Sequence, residues 1–164
     1  MELINILFIG DIIGKPGLTF VQTWLPGMIQ KYKADVVREY SCLPDVECMP
    51  SQIKQVFLNL LVNAAQAIET KGTITIRTGV QNDEVWIEVA DTGQGIAPHH
   101  LNQIFDPFFT TKPVGKGTGL GLSVSYGIIQ KHQGRIEVKS QPGKGTAMRI
   151  YLPVKPSSGG SVPT

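Results

Sequence analysis

Residues 105–123 read Phe-Asp-Pro-Phe-Phe-Thr-Thr-Lys-Pro-Val-Gly-Lys-Gly-Thr-Gly-Leu-Gly-Leu-Ser, and the fold turns on how this stretch is used. Its first half sets Phe105, Phe108 and Phe109 in a loop broken by Pro107 and Pro113, so the rings need a surface to pack on, and Lys112 places a cation beside any anion nearby. Its second half runs glycine-rich into residues 120–132, which read as a helix ended by Gly134. Backbone N–H groups at such a helix start lack intrahelical partners and form a site for phosphate. The spacing is not that of a P-loop, and the stretch does not directly follow a strand as a dinucleotide fingerprint does.

Working outward, residues 92–118 form a long connection punctuated by glycine and proline, with a short helical piece near residues 99–105. A connection of that length in a compact domain is usually a functional lid or disordered. Before it, residues 73–78 (TITIRT) and 85–90 (VWIEVA) flank the polar turn Gln81-Asn82-Asp83, which predicts a β-hairpin. Residues 135–140 and 146–152 predict a second hairpin around Pro142-Gly143-Lys144-Gly145. Ser51 reads as the N-cap of a long helix to about residue 69, and residues 34–40 as a strand.

Two further clusters carry chemistry. In residues 59–64 (NLLVNA), Asn59 and Asn63 stand one turn apart on one helix face. Amides on an otherwise apolar face need partners; they are either ligands for a hard cation such as Mg2+ or buried cross-links. In residues 91–96 (DTGQGI), Asp91 can accept a hydrogen bond from an exocyclic amine while Gly93 and Gly95 let a flat base lie against the backbone. The plain alternative is a turn capped by its aspartate.

The bulk numbers set bounds. The chain has 164 residues, 41% hydrophobic and 17% charged, which suits one domain with a proper core. A net charge of +2 gives no reason to expect nucleic acid as a partner. No apolar run approaches the ~20 residues of a membrane span, and the start lacks the features of a secretory signal, so the expectation is a soluble, cytoplasmic chain. Cys42 and Cys48 read as two reduced cysteines, and His99, His100 and His132 as solvated surface residues.

In order and spacing these clusters resemble the histidine kinase members of the Bergerat-fold ATP-binding superfamily, which also holds gyrase-like and chaperone ATPases. Residues 59–64 look like the N box, 91–96 the G1 box, 105–112 the F box and 117–122 the G2 box. Gly143-Lys144-Gly145-Thr146 resembles the later segment that closes the adenine pocket. The resemblance implies a two-layer α/β sandwich, a mixed sheet with helices on one face, and ATP with Mg2+ as ligands. It implies that Asn63, with Asn59, holds Mg2+, that Asp91 binds the adenine amine, and that Gly93, Gly95, Ile96 and Phe105 shape the pocket. Lys112, Gly117, Thr118, Gly119, Leu120 and Gly121 would meet the phosphates, and Thr146 would support Asp91 or a water. Asn59, Asn63 and Lys112 are the implied catalytic set.

The same resemblance separates kinase from ATPase. Gyrase-like members carry a glutamate one turn before the metal-binding asparagine, and here that slot is Asn59. An amide is no general base near neutral pH, so phosphoryl transfer to another acceptor is expected over hydrolysis. That acceptor would be a histidine on a separate dimerisation domain, with a response regulator beyond it. None of the three histidines here sits in a motif resembling the family's phospho-acceptor, so the chain alone is not expected to autophosphorylate.

Residues 1–36 do not resemble the start of a kinase domain. Residues 5–17 (NILFIGDIIGKPG) look like the opening βαβ of a bacterial metallophosphoesterase of the cyclic-nucleotide phosphodiesterase type, whose metal-ligand aspartate would match Asp11. The remaining metal ligands of that family have no counterpart in this chain. The expected division is therefore 1–36 as a metallophosphoesterase-like strand and helix, 37–155 as the kinase ATP-binding domain, and 156–164 as a disordered tail. A junction within residues 31–37 (KYKADVV), which suit either family, has the pattern of a chimera, natural or engineered. The alternative function is then a chimeric scaffold with a residual or distorted ATP site and no catalysis. The run at residues 4–10 is expected to add a strand beside residues 34–40, with the helix of residues 18–33 covering one sheet face. The exposed edge strand and apolar helix are compatible with a homodimer.

Overall fold

The structure is a computed structural model that describes residues 2–5, 34–113 and 117–154. Five strands form one sheet in the order β2-β4-β5-β7-β6: β2 (Ala34–Glu39), β4 (Gly72–Gln81), β5 (Glu84–Asp91), β7 (Gly145–Pro153) and β6 (Arg135–Gln141). β2 pairs with β4 in parallel and the other three pairings are antiparallel, so the sheet is mixed. Helices α1 (Pro50–Ala67) and α2 (Gly121–Lys131) pack on it and on each other.

The helix layer follows from sequence spacing. On α1 the buried residues Ile53, Val56, Phe57, Leu60, Leu61, Ala64 and Ala65 recur every three or four positions, which is one helix face. They meet the inward residues of alternating strands: Ile74 and Ile76 on β4, Val85, Ile87 and Val89 on β5, Met148, Ile150 and Leu152 on β7. Burying each large aliphatic side chain contributes about 1.5–3 kcal/mol, which fixes the helices to that face.

The opposite sheet face has no helix layer among the described residues, and alternating charge stabilises it instead. Glu39, Arg77, Glu88 and Arg149 are directly opposed on four successive strands. Arg77 bonds Glu39 at 2.6 Å and Glu88 at 3.1 Å, and Arg149 bonds Glu88 at 2.8 Å. Such cross-strand pairs reinforce register.

The hairpin between β4 and β5 turns through Asn82 and Asp83, both with positive φ (50° and 59°), the backbone that matches strand twist in a two-residue turn. The helix boundaries differ from expectation. Met49, in extended backbone, is the N-cap of α1 with no side-chain cap, and Ser51 lies inside the helix. Pro50 sets the start, because its fixed φ suits the first helical position and its missing N–H costs nothing there.

The front of the chain is also corrected. β1 (Glu2–Asn5) pairs antiparallel with β3 (Asp45–Cys48) in a separate two-stranded sheet, with Leu3 opposite Glu47 and Ile4 opposite Val46. It does not lie beside β2, whose described neighbour is β4. An apolar run announces a strand but carries no register; of the run at residues 4–10, residues 4 and 5 pair with β3 and residues 6–10 lie outside the described residues. Asp11, the helix expected at residues 18–33 and the tail at residues 156–164 lie outside the described residues. Among the described residues no helix is long and apolar enough to cross a membrane. Both cysteines are free, Cys42 exposed and Cys48 buried.

Candidate functional site

A cavity of about 560 Å3 opens between α1, the inward ends of β5 and β7, and the lid. Asn59, Asn63, Asp91, Gly95, Ile96, Lys112, Gly117, Thr118, Gly119, Gly121 and Thr146 all line it. Residues up to 87 positions apart in sequence thus share one wall. Gly93, Phe105 and Leu120 lie off that wall. Gly93 is buried against the end of α1, where a Cβ would sit 2.4 Å from the Ala67 carbonyl oxygen. Phe105 packs on Tyr126 of α2 at 5.1 Å between ring centroids. Leu120 is the N-cap of α2 and is partly exposed.

At the β5–β7 end, Asp91 faces Thr146 across the ladder. Its Oδ1 accepts from the Gly93 N–H at 2.8 Å. Burial pushes its carboxyl above the ordinary aspartate range, and hydrogen bonds from the Gly93 and Thr146 backbones oppose that rise. Gly145 lets the strands close here: its φ is +99° and a Cβ would lie 1.9 Å from the Asp91 carbonyl oxygen.

Sequence reasoning missed Ser140, which organises this corner. Its Oγ accepts from the Ile96 N–H at 2.8 Å and donates to the Gly145 carbonyl at 3.0 Å. A hydroxyl carries one proton, so the 2.9 Å contact with Thr146 must use the Thr146 proton. The Thr146 oxygen therefore keeps its acceptor capacity for the cavity that it lines. Nothing in the sequence marks a single serine in an exposed hairpin strand for that task.

On α1 the two asparagines do different things. Asn59 Nδ2 donates to the Gly121 carbonyl at 2.9 Å and to Ser125 Oγ at 3.1 Å, fastening α1 to the start of α2. Asn63 Oδ1 accepts from Lys112 Nζ at 3.0 Å, and the same ammonium also donates to Gln66 Oε1. Burial pushes the Lys112 ammonium below the usual lysine value. Gln66 was also missed, although its position three residues beyond Asn63 puts it on the same face.

The lid is held at several points. Phe108, with φ +67°, donates its N–H to the Gly119 carbonyl at 3.0 Å. A Cβ on Gly119 would lie 2.3 Å from the Phe108 carbonyl carbon, so only glycine lets the two segments cross. From that crossing the chain enters α2, with Gly119 and Gly121 at its start lining the cavity and the Leu120 N–H donating to Thr118 Oγ1 at 3.3 Å.

The histidines depart from the expectation of solvated residues. His100 is half-buried and its ring lies tilted against Phe109, with 5.3 Å between centroids. His132 bridges the helices: Nδ1 donates to the Ile128 carbonyl at 2.8 Å, which leaves Nε2 to accept the Met49 N–H at 3.0 Å. It thus supplies α1 with the cap that its own sequence lacks. Only His99 is exposed as expected.

The family of histidine kinase-, DNA gyrase B- and HSP90-like ATPases matches residues 48–156. The chain is 46% identical over 112 residues to sensor histidine kinase ZraS of Escherichia coli, covering 68% of this chain and 24% of that protein. It is 45% identical over 114 residues to sporulation kinase E of Bacillus subtilis, covering 69% of this chain and 15% of that protein. The chain thus spans about a quarter or less of these curated relatives. Among solved structures, the catalytic domain of histidine kinase ThkA superposes with a TM-score of 0.77 at 31% identity, covering 95% of this chain and all of that one. The mycobacterial sensor histidine kinase MprB gives a TM-score of 0.70 at 26% identity, covering 85% and 95%.

Proposed function

The chain belongs to the histidine kinase-, DNA gyrase B- and HSP90-like ATPase family, and we propose that it is the ATP-binding catalytic domain of a two-component sensor histidine kinase. In this reading it positions Mg-ATP for transfer of the γ-phosphoryl group to a histidine on a separate dimerisation domain. The observation that carries kinase over ATPase is at Asn59. Its amide nitrogen is committed to Gly121 and Ser125, and the only carboxylate among the described cavity residues is Asp91, on β5 rather than on α1. No group on α1 can take a proton from water, so hydrolysis is slow and the phosphoryl group is kept for another acceptor.

Asp91 is assigned the adenine amine, with Gly95, Ile96 and the Thr146 oxygen beside the base. Gly93 acts from behind, by letting the G1 turn close on α1. Lys112, Thr118 and the amides of residues 119–121 are assigned the phosphates, where positioning and neutralisation supply most of the catalysis. Asn63 fits a hard cation, because its oxygen already accepts from an ammonium. Mg2+ held there, with Asn59 alongside, would neutralise charge on the phosphates. Phe105 braces the lid against α2, and Leu120 sets the turn into it.

The parent system's partners are then a dimerisation domain and a response regulator, in the cytoplasm, with a homodimer of this chain through its edge strand and apolar helix. We assign residues 37–155 to this domain and residues 1–36 to a metallophosphoesterase-like front joined as a chimera. The family match beginning at residue 48 supports placing the junction upstream. The test uses γ-labelled ATP, Mg2+ and the purified dimerisation domain of the matched Escherichia coli kinase. Label on that domain's histidine, with little free phosphate from the chain alone, is expected. Rapid phosphate release with no labelled protein would make the chain an ATPase.

A further inference from the structure

Lys112 reaches from the lid to α1, and both acceptors that hold it are neutral. Its Nζ donates to Asn63 Oδ1 at 3.0 Å and to Gln66 Oε1. Among the described residues no carboxylate pairs with it. Asn63 and Gln66 lie on one face of α1, within one turn, and both line the cavity. Ordering a glutamine side chain costs rotamer entropy, so its direction toward an ammonium rather than water is informative.

The Asn63 oxygen has a second claimant. In the ATP-binding reading of this cavity, on which this inference rests, Asn63 turns that oxygen to Mg2+. Lys112 then loses one of its two anchors when the phosphates arrive. We propose that Gln66 is a positioning residue that keeps the Lys112 ammonium at the phosphate end of the cavity once Asn63 is given to the metal. The lid end at residue 112 thereby stays tied to α1 through the exchange. A carboxamide suits this task better than a carboxylate, because it orients the ammonium without cancelling the charge that the phosphates need.

The test is calorimetric titration of the full chain with a non-hydrolysable ATP analogue, with Mg2+ and with EDTA, and with adenosine. Gln66→Met keeps length and helix propensity but removes the acceptor. Its affinity for the analogue should fall about tenfold with Mg2+ and about threefold or less without it, since Asn63 still anchors Lys112 there. Adenosine affinity should be unchanged. In a Lys112→Met background, Gln66→Met should add nothing further. Gln66→Glu should also weaken the analogue, despite holding the lysine. Equal affinity for wild type and Gln66→Met, an equal loss for adenosine, a loss independent of Mg2+, or additivity with Lys112→Met would each overturn the assignment. Wild-type chain that is folded yet binds no analogue would instead sink the ATP-binding reading and the inference with it.

Discussion

Replacing Asn59 with alanine should loosen the joint between the two helices before it touches any ligand. The side chain gives two hydrogen bonds, to the Gly121 carbonyl at 2.9 Å and to Ser125 Oγ at 3.1 Å. The carbonyl keeps a second donor, because Ser125 Oγ–H reaches it at 2.8 Å, so no acceptor is orphaned by the change. Each lost bond is worth about 0.5–1.5 kcal/mol net, giving about 1–3 kcal/mol in total. With a urea slope of about 2 kcal/mol per molar, the unfolding midpoint falls by about 1 M while the slope is unchanged. Asn59→Asp sharpens the test, since a carboxylate cannot donate and sets oxygen against the Gly121 oxygen. It should cost at least as much as alanine, although its shape is almost that of asparagine. Urea titration followed by circular dichroism, without nucleotide, reads both. Wild-type midpoints for both variants would refute the cross-link and leave Asn59 a role toward ligand alone.

Asp91→Asn should stabilise the fold, and the gain should depend on pH. Burial raises the folded-state value of Asp91 above its unfolded one, so its favourable contribution is present below the ordinary value of about 3.9 and is lost as pH rises through the raised value. The variant's advantage in denaturation midpoint should grow across that window and level off above it; an advantage that shrank with rising pH would reverse the sign. Gly145→Ala forces a Cβ to 1.9 Å from the Asp91 carbonyl oxygen at φ +99°, and should cost about 2–4 kcal/mol, lowering Tm by roughly 10 °C. Gly143→Ala is its control, with φ +75° but nothing within 4 Å, and should cost only about 1–2 kcal/mol by calorimetry. His132→Ala removes the acceptor for the Met49 N–H, so amide exchange there should quicken and stability drop by about 0.5–1.5 kcal/mol.

Periodic and local features were legible in the sequence. The three-and-four spacing of α1, the alternation of β4 and β5, and the Asn82-Asp83 turn each repeat one physical rule over several residues. The cavity wall was legible for a different reason: glycine at positions 95 and 119 marks places where two backbones nearly touch. Single long-range contacts left no trace. Ser140, Gln66 and His132 are ordinary polar residues on exposed-looking stretches, and each acquires its task from a partner 44 to 83 positions away. The pairing of β1 with β3 escaped for the same reason, because four residues on each side specify a strand but not a register. The cap of α1 was misplaced because Ser51 has the better side chain while Pro50 has the better backbone.

In the proposed reading, Asp91 holds the adenine of Mg-ATP in this pocket. The most direct measurement is calorimetric titration of the wild-type chain and of Asp91→Asn with a non-hydrolysable ATP analogue and Mg2+. Saturable one-to-one binding by the wild type that Asp91→Asn loses, while the variant folds at least as stably, is the predicted result. Binding of equal strength by both chains, or none by a folded wild type, would contradict it.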